Sequence, residues 1–335
     1  MSTTAGVFTE TLLQNVRLMA DAIMFNDRIK LQYSPQAEVL NALPRIQTAR
    51  ITPLENREKD YTVEVEWMNA CGMEVTSCTS CTTCDTETST NVQTYSLTQC
   101  DQTCFQVDEN VFLTNDFNAA EAIAKGLLRA DALLVESIAQ YMVAVLNAND
   151  GVNVQGTRGI GTVVGNTTQI AAANWTAAAI PYVISVGQSN RFTSPVFLSG
   201  MNMYEAWLTA NLNSGNDNGK GAQAMFNTMP FYFDIVNIDA VNTPTYISYL
   251  ISTGALAFAS KAYHTPQMRT MSWGKTYSMP SRFLPGLMID VLVKEECTEH
   301  NLNKMDFILN TKYDILVNPT GCDGTNTGIL SFTCV

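Results

Sequence analysis

AAEAIAKGLLRADALLVESIAQYMVAVLNA, residues 119–148, is the longest uninterrupted periodic segment of the chain. Ile123, Leu127, Leu134, Ile138, Tyr141 and Val145 recur along it at helical spacing, which predicts one continuous amphipathic helix. Thirty residues at about 1.5 Å each give a spine of roughly 45 Å, well past the mean helix of about 11–12 residues. Asn118 and Glu121 read as a variant capping box, and Asn149, Asp150 and Gly151 supply the stop.

Working back from the spine, Cys71, Cys78, Cys81, Cys84, Cys100 and Cys104 lie in a Thr- and Ser-rich stretch that contains CTSCTTC at 78–84. A ferredoxin run would need a fourth cysteine and a proline soon after Cys84, and Asp85–Thr88 supply neither. Tetrahedral zinc could draw on Cys78 and Cys81 with Cys100 and Cys104. Free thiols and late disulfides, within or between subunits, are the other readings. Nine cysteines is an odd count, so complete pairing within one chain is impossible. Val92, Tyr95 and Leu97 hint at a strand inside the stretch. Upstream, Tyr61, Val63, Val65 and Trp67 alternate with Thr62, Glu64, Glu66 and Met68, predicting a half-exposed strand. Pro35, Pro44 and Pro53 predict an extended, turn-rich segment over 30–59, and Phe8, Leu12, Val16, Met19 and Ile23 predict an N-terminal helix that needs a partner surface.

Downstream, a helix is expected from about Asn174 to Ser189, kinked or interrupted by Pro181, followed by a strand at SPVFLSG and a helix at NMYEAWLTANL. Strands are expected at FDIVNID, YISYLI and ALAFASKA, and a closing antiparallel set at GLMIDVLVKEEC, KMDFILNTKYDILVN and GILSFTC. Segregation of helices and strands predicts an α+β fold rather than a doubly wound α/β sheet.

Composition narrows function. Hydrophobic residues are 46% and charged ones 15% of the chain, so Asn, Thr, Ser and Gln must cover much of the surface. Burying such groups at an interface costs less than burying charges. A net charge of −12 is the wrong sign for sequence-specific DNA binding. No window approaches the 18 apolar residues of a membrane span and no signal-peptide pattern opens the chain, so a soluble, non-exported protein is expected. Catalytic motifs are lacking. GNDNGKG at 215–221 has Ser214 where a Walker loop needs its first glycine, and GIGTVVG at 159–165 misses the dinucleotide spacing and reads as a turn. His264 and His300 are too few for a histidine metal site, and no G-x-S-x-G elbow occurs. No enzyme activity and no cofactor are expected.

The segments NDFNAAEAIAKGLLRADALLVESIAQYMVAVLNANDGVN, SPVFLSG, FNTMPFYFDIVNIDAV, ALAFASKAYH, TKYDILVNPTGC and TGILSFTC resemble major capsid proteins of tailed bacteriophages with the Hong Kong 97-type fold, closest to those of phages infecting Bacteroidota. The resemblance implies an N-terminal arm at 1–30, an E-loop at 31–68, a P-domain from 69–150 and 286–335 that holds the cysteine-rich loop, and an A-domain at 151–285. It implies self-assembly into hexamers and pentamers of an icosahedral virion shell around double-stranded DNA, built in the host cytoplasm. Portal, scaffold and decoration proteins would be the other partners, with no membrane. On that reading the six cysteines form a disulfide or inter-subunit clamp. An encapsulin-like compartment shell is the alternative within the fold, and a zinc- or cluster-binding regulator the alternative outside it.

Overall fold

The structure is a computed structural model that describes residues 8–25, 35–53, 61–69, 89–108, 119–176, 178–214, 229–242, 246–297, 303–319 and 327–335. It is a mixed helix-and-sheet fold of three sheets and a long spine helix, Ala119–Ala148. The first sheet contains β1 (Arg50–Pro53), β2 (Thr62–Asn69) and β3 (Ser89–Ser96) in that order. The second runs β10 (Leu256–Ser260), β14 (Asn303–Val317), β13 (Met288–Cys297), β12 (Gly274–Pro280) and β11 (Arg269–Met271), with β4 (Gln99–Asp108) also paired to β14. The third runs β5 (Gly161–Val164), β6 (Thr167–Ile170), β15 (Ile329–Cys334), β9 (Ile247–Ile251), β7 (Val196–Ser199) and β8 (Phe231–Phe233).

The spine buries most of its circumference and leaves one exposed stripe along Arg129, Leu133, Ser137, Gln140 and Ala144. Besides Ile123, Leu127, Leu134 and Ile138, the core takes Ala124, Leu128, Val135, Ala139, Met142 and Val143, while Tyr141 and Val145 are only half-buried. It is enclosed by the N-terminal helix (Glu10–Phe25), by β4 and β14, and by the short helix Ile235–Asn242. Small alanines between the large residues let these elements approach. Closest of all is Gly126, where an added Cβ would come within 2.4 Å of the Phe105 ring on β4.

The partner surface that the N-terminal helix needs lies in the same chain. Leu13, Val16, Ala20 and Ile23 are buried against the spine and the second sheet, with Leu12 and Met19 half-buried beside them. Phe8 anchors its entrance, stacked on Tyr277 at 6.2 Å and edge-on to Phe307 at 5.4 Å. Its backbone is held at both ends, since Phe8 N donates to Glu295 Oε1 and Lys275 Nζ donates to Phe8 O, each at 2.7 Å.

Several expected elements are corrected. The proline-bearing segment is not simply extended: a 3-10 turn at Glu38–Ala42 passes into a short helix, Leu43–Ile46. Pro44 falls in its first turn, where the N–H it lacks would have had no helical partner. FDIVNID is not a strand beyond Phe233, because Asp234 caps a helix over Ile235–Asn242 by accepting from Asn237 N at 2.9 Å. The same carboxylate accepts from Val39 N at 3.1 Å, and the Asn237 amide donates to Gln36 O, so one cap also ties down the turn at 36–40. Around Pro181 the chain forms a 3-10 turn at Ala172–Asn174 and a separate helix at Ala179–Ser189 with the proline in its first turn. GILSFTC does not join the closing set. It enters the middle of the third sheet, parallel to β6 and antiparallel to β9, and its five consecutive buried residues are those of a strand covered on both faces.

The sheets group strands from different parts of the chain. The hairpin β2–β3, in register from Thr62↔Ser96 to Asn69↔Ser89, spans the division expected at 68/69. Strands β10, β11 and β12, expected in the 151–285 segment, belong to the second sheet. A closed ring of hydrogen bonds joins spine, capped helix and third sheet: Asn147 Nδ2 to Asn242 Oδ1 at 2.7 Å, Asn242 Nδ2 to Tyr249 Oη at 2.9 Å, and Tyr249 Oη to Asn147 Oδ1 at 2.5 Å. Every polar group in that buried junction is used, which fixes its geometry.

Candidate functional site

The cysteines expected to form a site divide between two places. Cys100 and Cys104 lie on β4 as free, exposed thiols. β4 runs alongside β14 in unbroken register from Gln99↔Tyr313 to Asp108↔Lys304, so the two thiols leave the same face four residues apart. At about 3.4 Å per residue their Cα atoms are roughly 14 Å apart. A disulfide tolerates Cα atoms no more than about 6.8 Å apart, and two thiolates on one zinc lie within about 4.6 Å. On this strand the two are too far apart to share one zinc, since their sequence spacing suits a zinc pair in a loop but not in a flat strand. Cys71, Cys78, Cys81 and Cys84 lie outside the described residues, in the chain joining β2 to β3. Among the described residues no group of three or more His, Cys, Asp or Glu side chains is placed to share a metal ion.

The glycine-rich stretch forms a hairpin. Val164 pairs with Thr167, and Gly165 occupies the first of the two turn positions with φ of 63°, the geometry of a type II′ turn. GNDNGKG and His300 lie outside the described residues. His264 sits edge-on to Tyr263, and its backbone N–H donates to Asp290 at 2.9 Å. No helix of the described residues is long and apolar enough to cross a membrane.

The carboxylates that sequence reading missed act as ties, Asp131 and Asp290 buried and Asp239 half-buried. Asp131, on the spine, accepts from Ser281 Oγ at 2.6 Å and from Arg282 N at 2.7 Å. Asp290 accepts from the backbone of Tyr263 and His264, and Asp239 from Met201 N at the start of the helix Met201–Ser214. Gly200 makes the last contact possible, since a Cβ there would fall 2.0 Å from Asp239 Oδ1. Burial pushes all three carboxyls above the usual range, Asp131 to about 6, although its hydrogen bonds and the Arg282 charge pull the other way. No ligand-like pattern in the sequence marks them; only Asp131, an acid amid apolar residues of the spine, carries a signal.

These shifts set a pH dependence. A carboxyl whose folded pKa is raised holds its proton more tightly folded than unfolded, so its stabilisation is fully present below the unfolded pKa and is lost as pH rises through the folded one. Between pH 5 and 7.5 Asp131 alone is expected to remove on the order of 1 kcal/mol. Urea unfolding across that range is expected to show falling midpoints, with a shallower fall in Asp131→Asn. An identical slope in the variant would contradict the assignment.

Two surface features remain once these ties are accounted for. The β2–β3 sheet packs Val63, Val65, Trp67 and Leu97 on Ala257, Ala259 and Leu316, a small core of its own at one end of the second sheet. The β11–β12 hairpin carries exposed Met271 and Trp273 at the sheet edge.

No family model and no curated protein matches the chain. Among solved structures it is similar to a virus-like particle from Pyrococcus furiosus, with 12% identity and a TM-score of 0.48 over 96% of this chain and 98% of that one. It is also similar to a chain of Mycobacterium phage Che8, at 12% identity and a TM-score of 0.43 over 85% and 92% of the two chains. A third likeness is to the capsid asymmetric unit of cyanophage Pam1, at 13% identity and a TM-score of 0.42 over 91% and 93%. Each score is below 0.5, and the function proposed next rests on this chain's own residues.

Proposed function

We propose that the chain is the building block of a closed protein shell, the icosahedral head of a tailed phage with the Hong Kong 97-type architecture, enclosing double-stranded DNA. One observation carries the proposal. Among the described residues, large apolar side chains stand exposed on several elements, Leu18 on the N-terminal helix, Val92 on β3, Leu133 on the spine, and Met271 and Trp273 on the β11–β12 hairpin, and exposed apolar surface of this kind is what partner subunits cover. The amide-rich, weakly charged surface supports the same reading, because such groups desolvate at low cost. So does the sequence resemblance, which extends over the spine, the third sheet and the closing strands.

In this proposal the spine and second sheet form the P-domain, the third sheet and its helices the A-domain, and the β2–β3 hairpin the E-loop. Hexamers and pentamers form through copies of the chain, with portal, scaffold and decoration proteins as further partners and the host cytoplasm as the place of assembly. The role is structural rather than catalytic. Cys100 and Cys104 of one chain are too far apart to bond each other, so in the proposed clamp each pairs with Cys71, Cys78, Cys81 or Cys84, or with a cysteine of a neighbouring chain.

Sedimentation velocity of the purified protein tests this. The expected species is far larger than one 36.7 kDa chain, and non-reducing gels of it are expected to show disulfide-linked multimers that collapse with reductant. A monomer or dimer carrying stoichiometric zinc would replace the proposal with the regulatory reading, and a shell loaded with an enzyme instead of DNA would replace it with a cargo compartment.

A further inference from the structure

Strand β4 is a long open edge of the second sheet. The β11 edge of that sheet is only three residues long, whereas β4 runs for ten and, among the described residues, pairs with β14 alone. Native edges of such length are ordinarily blunted by a lysine, a proline or a bulge. β4 reads QCDQTCFQVD, with no lysine and no proline, and its unbroken register with β14 leaves no bulge. The alternation of hydrogen bonds shows which of its backbone groups are free. Ser278 N donates to Thr265 O, away from β13, so Tyr277 and Met279 face β13. Carried across Tyr277↔Val291 and Leu292↔Ile308, the same alternation turns Phe307 and Leu309 toward their partners on β4, Phe105 and Thr103. Cys100, Gln102 and Cys104 therefore direct their N–H and C=O groups to the open side, and their side chains stand exposed on one face.

We propose that this edge pairs antiparallel with β4 of a second copy of the chain, about a two-fold axis through Gln102. Pairing must set residues with free backbone groups opposite one another, and this register does so: Gln102 meets its own counterpart, and Cys100 of each copy meets Cys104 of the other. Asp101 then faces Thr103, so neither carboxylate meets its like. Thiols and amides at the contact lose water at lower cost than charges would. The opposed thiols lie with Cα atoms about 5.5 Å apart, against roughly 14 Å for the two within one chain. The pairing does not depend on the shell proposal, since it holds whether two copies meet in a shell or as a free dimer.

Dibromobimane, a short reagent that alkylates two thiols, is the probe, applied to the full-length protein carrying Cys100→Ser or Cys104→Ser. Each variant alone sets its remaining cysteine opposite a serine, so neither is expected to link like cysteines of two copies. Co-expressing the two restores one opposed thiol pair, and mass spectrometry of the digested product is expected to find Cys104 of one variant joined to Cys100 of the other. In that co-expressed pair, Gln102→Pro removes the N–H at the centre of the contact, a group that β14 does not use. The linked fraction is expected to fall about tenfold or more while the melting temperature holds. Gln102→Lys leaves the backbone intact and sets like charges opposite each other at the axis; the linked fraction is expected to fall and to recover in high salt. A link formed by either serine variant alone between like cysteines would overturn the register. Absence of the mixed link, or a linked fraction unchanged in both Gln102 variants, would overturn the pairing, and closed shells without the link would leave the shell proposal standing.

Discussion

Phe307→Ala is expected to lower the unfolding free energy by about 3–5 kcal/mol, the range for truncating a fully buried phenylalanine. Phe307 is completely buried on β14 and is the shared contact of three elements. Its ring stacks on Phe105 of β4 at 4.9 Å with planes 4° apart, and receives Phe8 edge-on at 5.4 Å. Phe105 in turn lies against Gly126 of the spine. Removing the ring leaves a void beneath the N-terminal anchor and frees Phe105 to rotate, so the helix Glu10–Phe25 should loosen along with the loss of global stability. Chemical denaturation measures the first effect, and hydrogen exchange over residues 10–25 the second. A loss below about 1 kcal/mol would mean that the aromatic cluster repacks and is not the keystone described.

Trp67→Ala should produce a loss of similar size but in one place. Trp67 is 1% exposed, and its indole N–H donates to Tyr95 Oη at 3.3 Å. Without it Val63, Val65 and Leu97, with Ala49 and the half-buried Ile51, Tyr61 and Tyr95, are left among the described residues to hold the β1–β3 sheet to β10 and β14. Three strands with so small a core are marginal by themselves, so about 3–5 kcal/mol exceeds what docking of that sheet can spare. Exchange protection should vanish in β2 and β3 while persisting in β13 and β14. If the hairpin is an inter-subunit element as proposed, shell formation should fail in the same variant. Uniform loss of protection across all three sheets would show that the small sheet is not a separable unit.

The spine was legible because thirty residues repeat a single period without a breaker, yet how much of its circumference is buried was not. Ala124, Ala130, Ala132 and Ala139 look neutral in a periodicity argument, but their small size is what lets neighbouring elements close around the helix. β4 went unread because QCDQTCFQVD carries few residues of high strand propensity; its place follows from ten-residue pairing with β14, a long-range fact. The helix at 235–242 was hidden by local apolar content, and the Asp234 cap that starts it is shared with a turn nearly two hundred residues earlier. The cysteine spacing was visible, but whether it describes a loop or a strand was not, and that distinction separates a zinc pair from two independent thiols. The carboxylate ties Asp131, Asp239 and Asp290 hold segments distant in sequence, so apart from Asp131, an acid set among apolar residues, no local pattern announces them.

Negative-stain electron microscopy of the purified protein is the most direct test of the shell. The account predicts closed icosahedral particles with five-fold and six-fold capsomers. Uniform particles no larger than one or two chains, at every protein concentration tried, would contradict it.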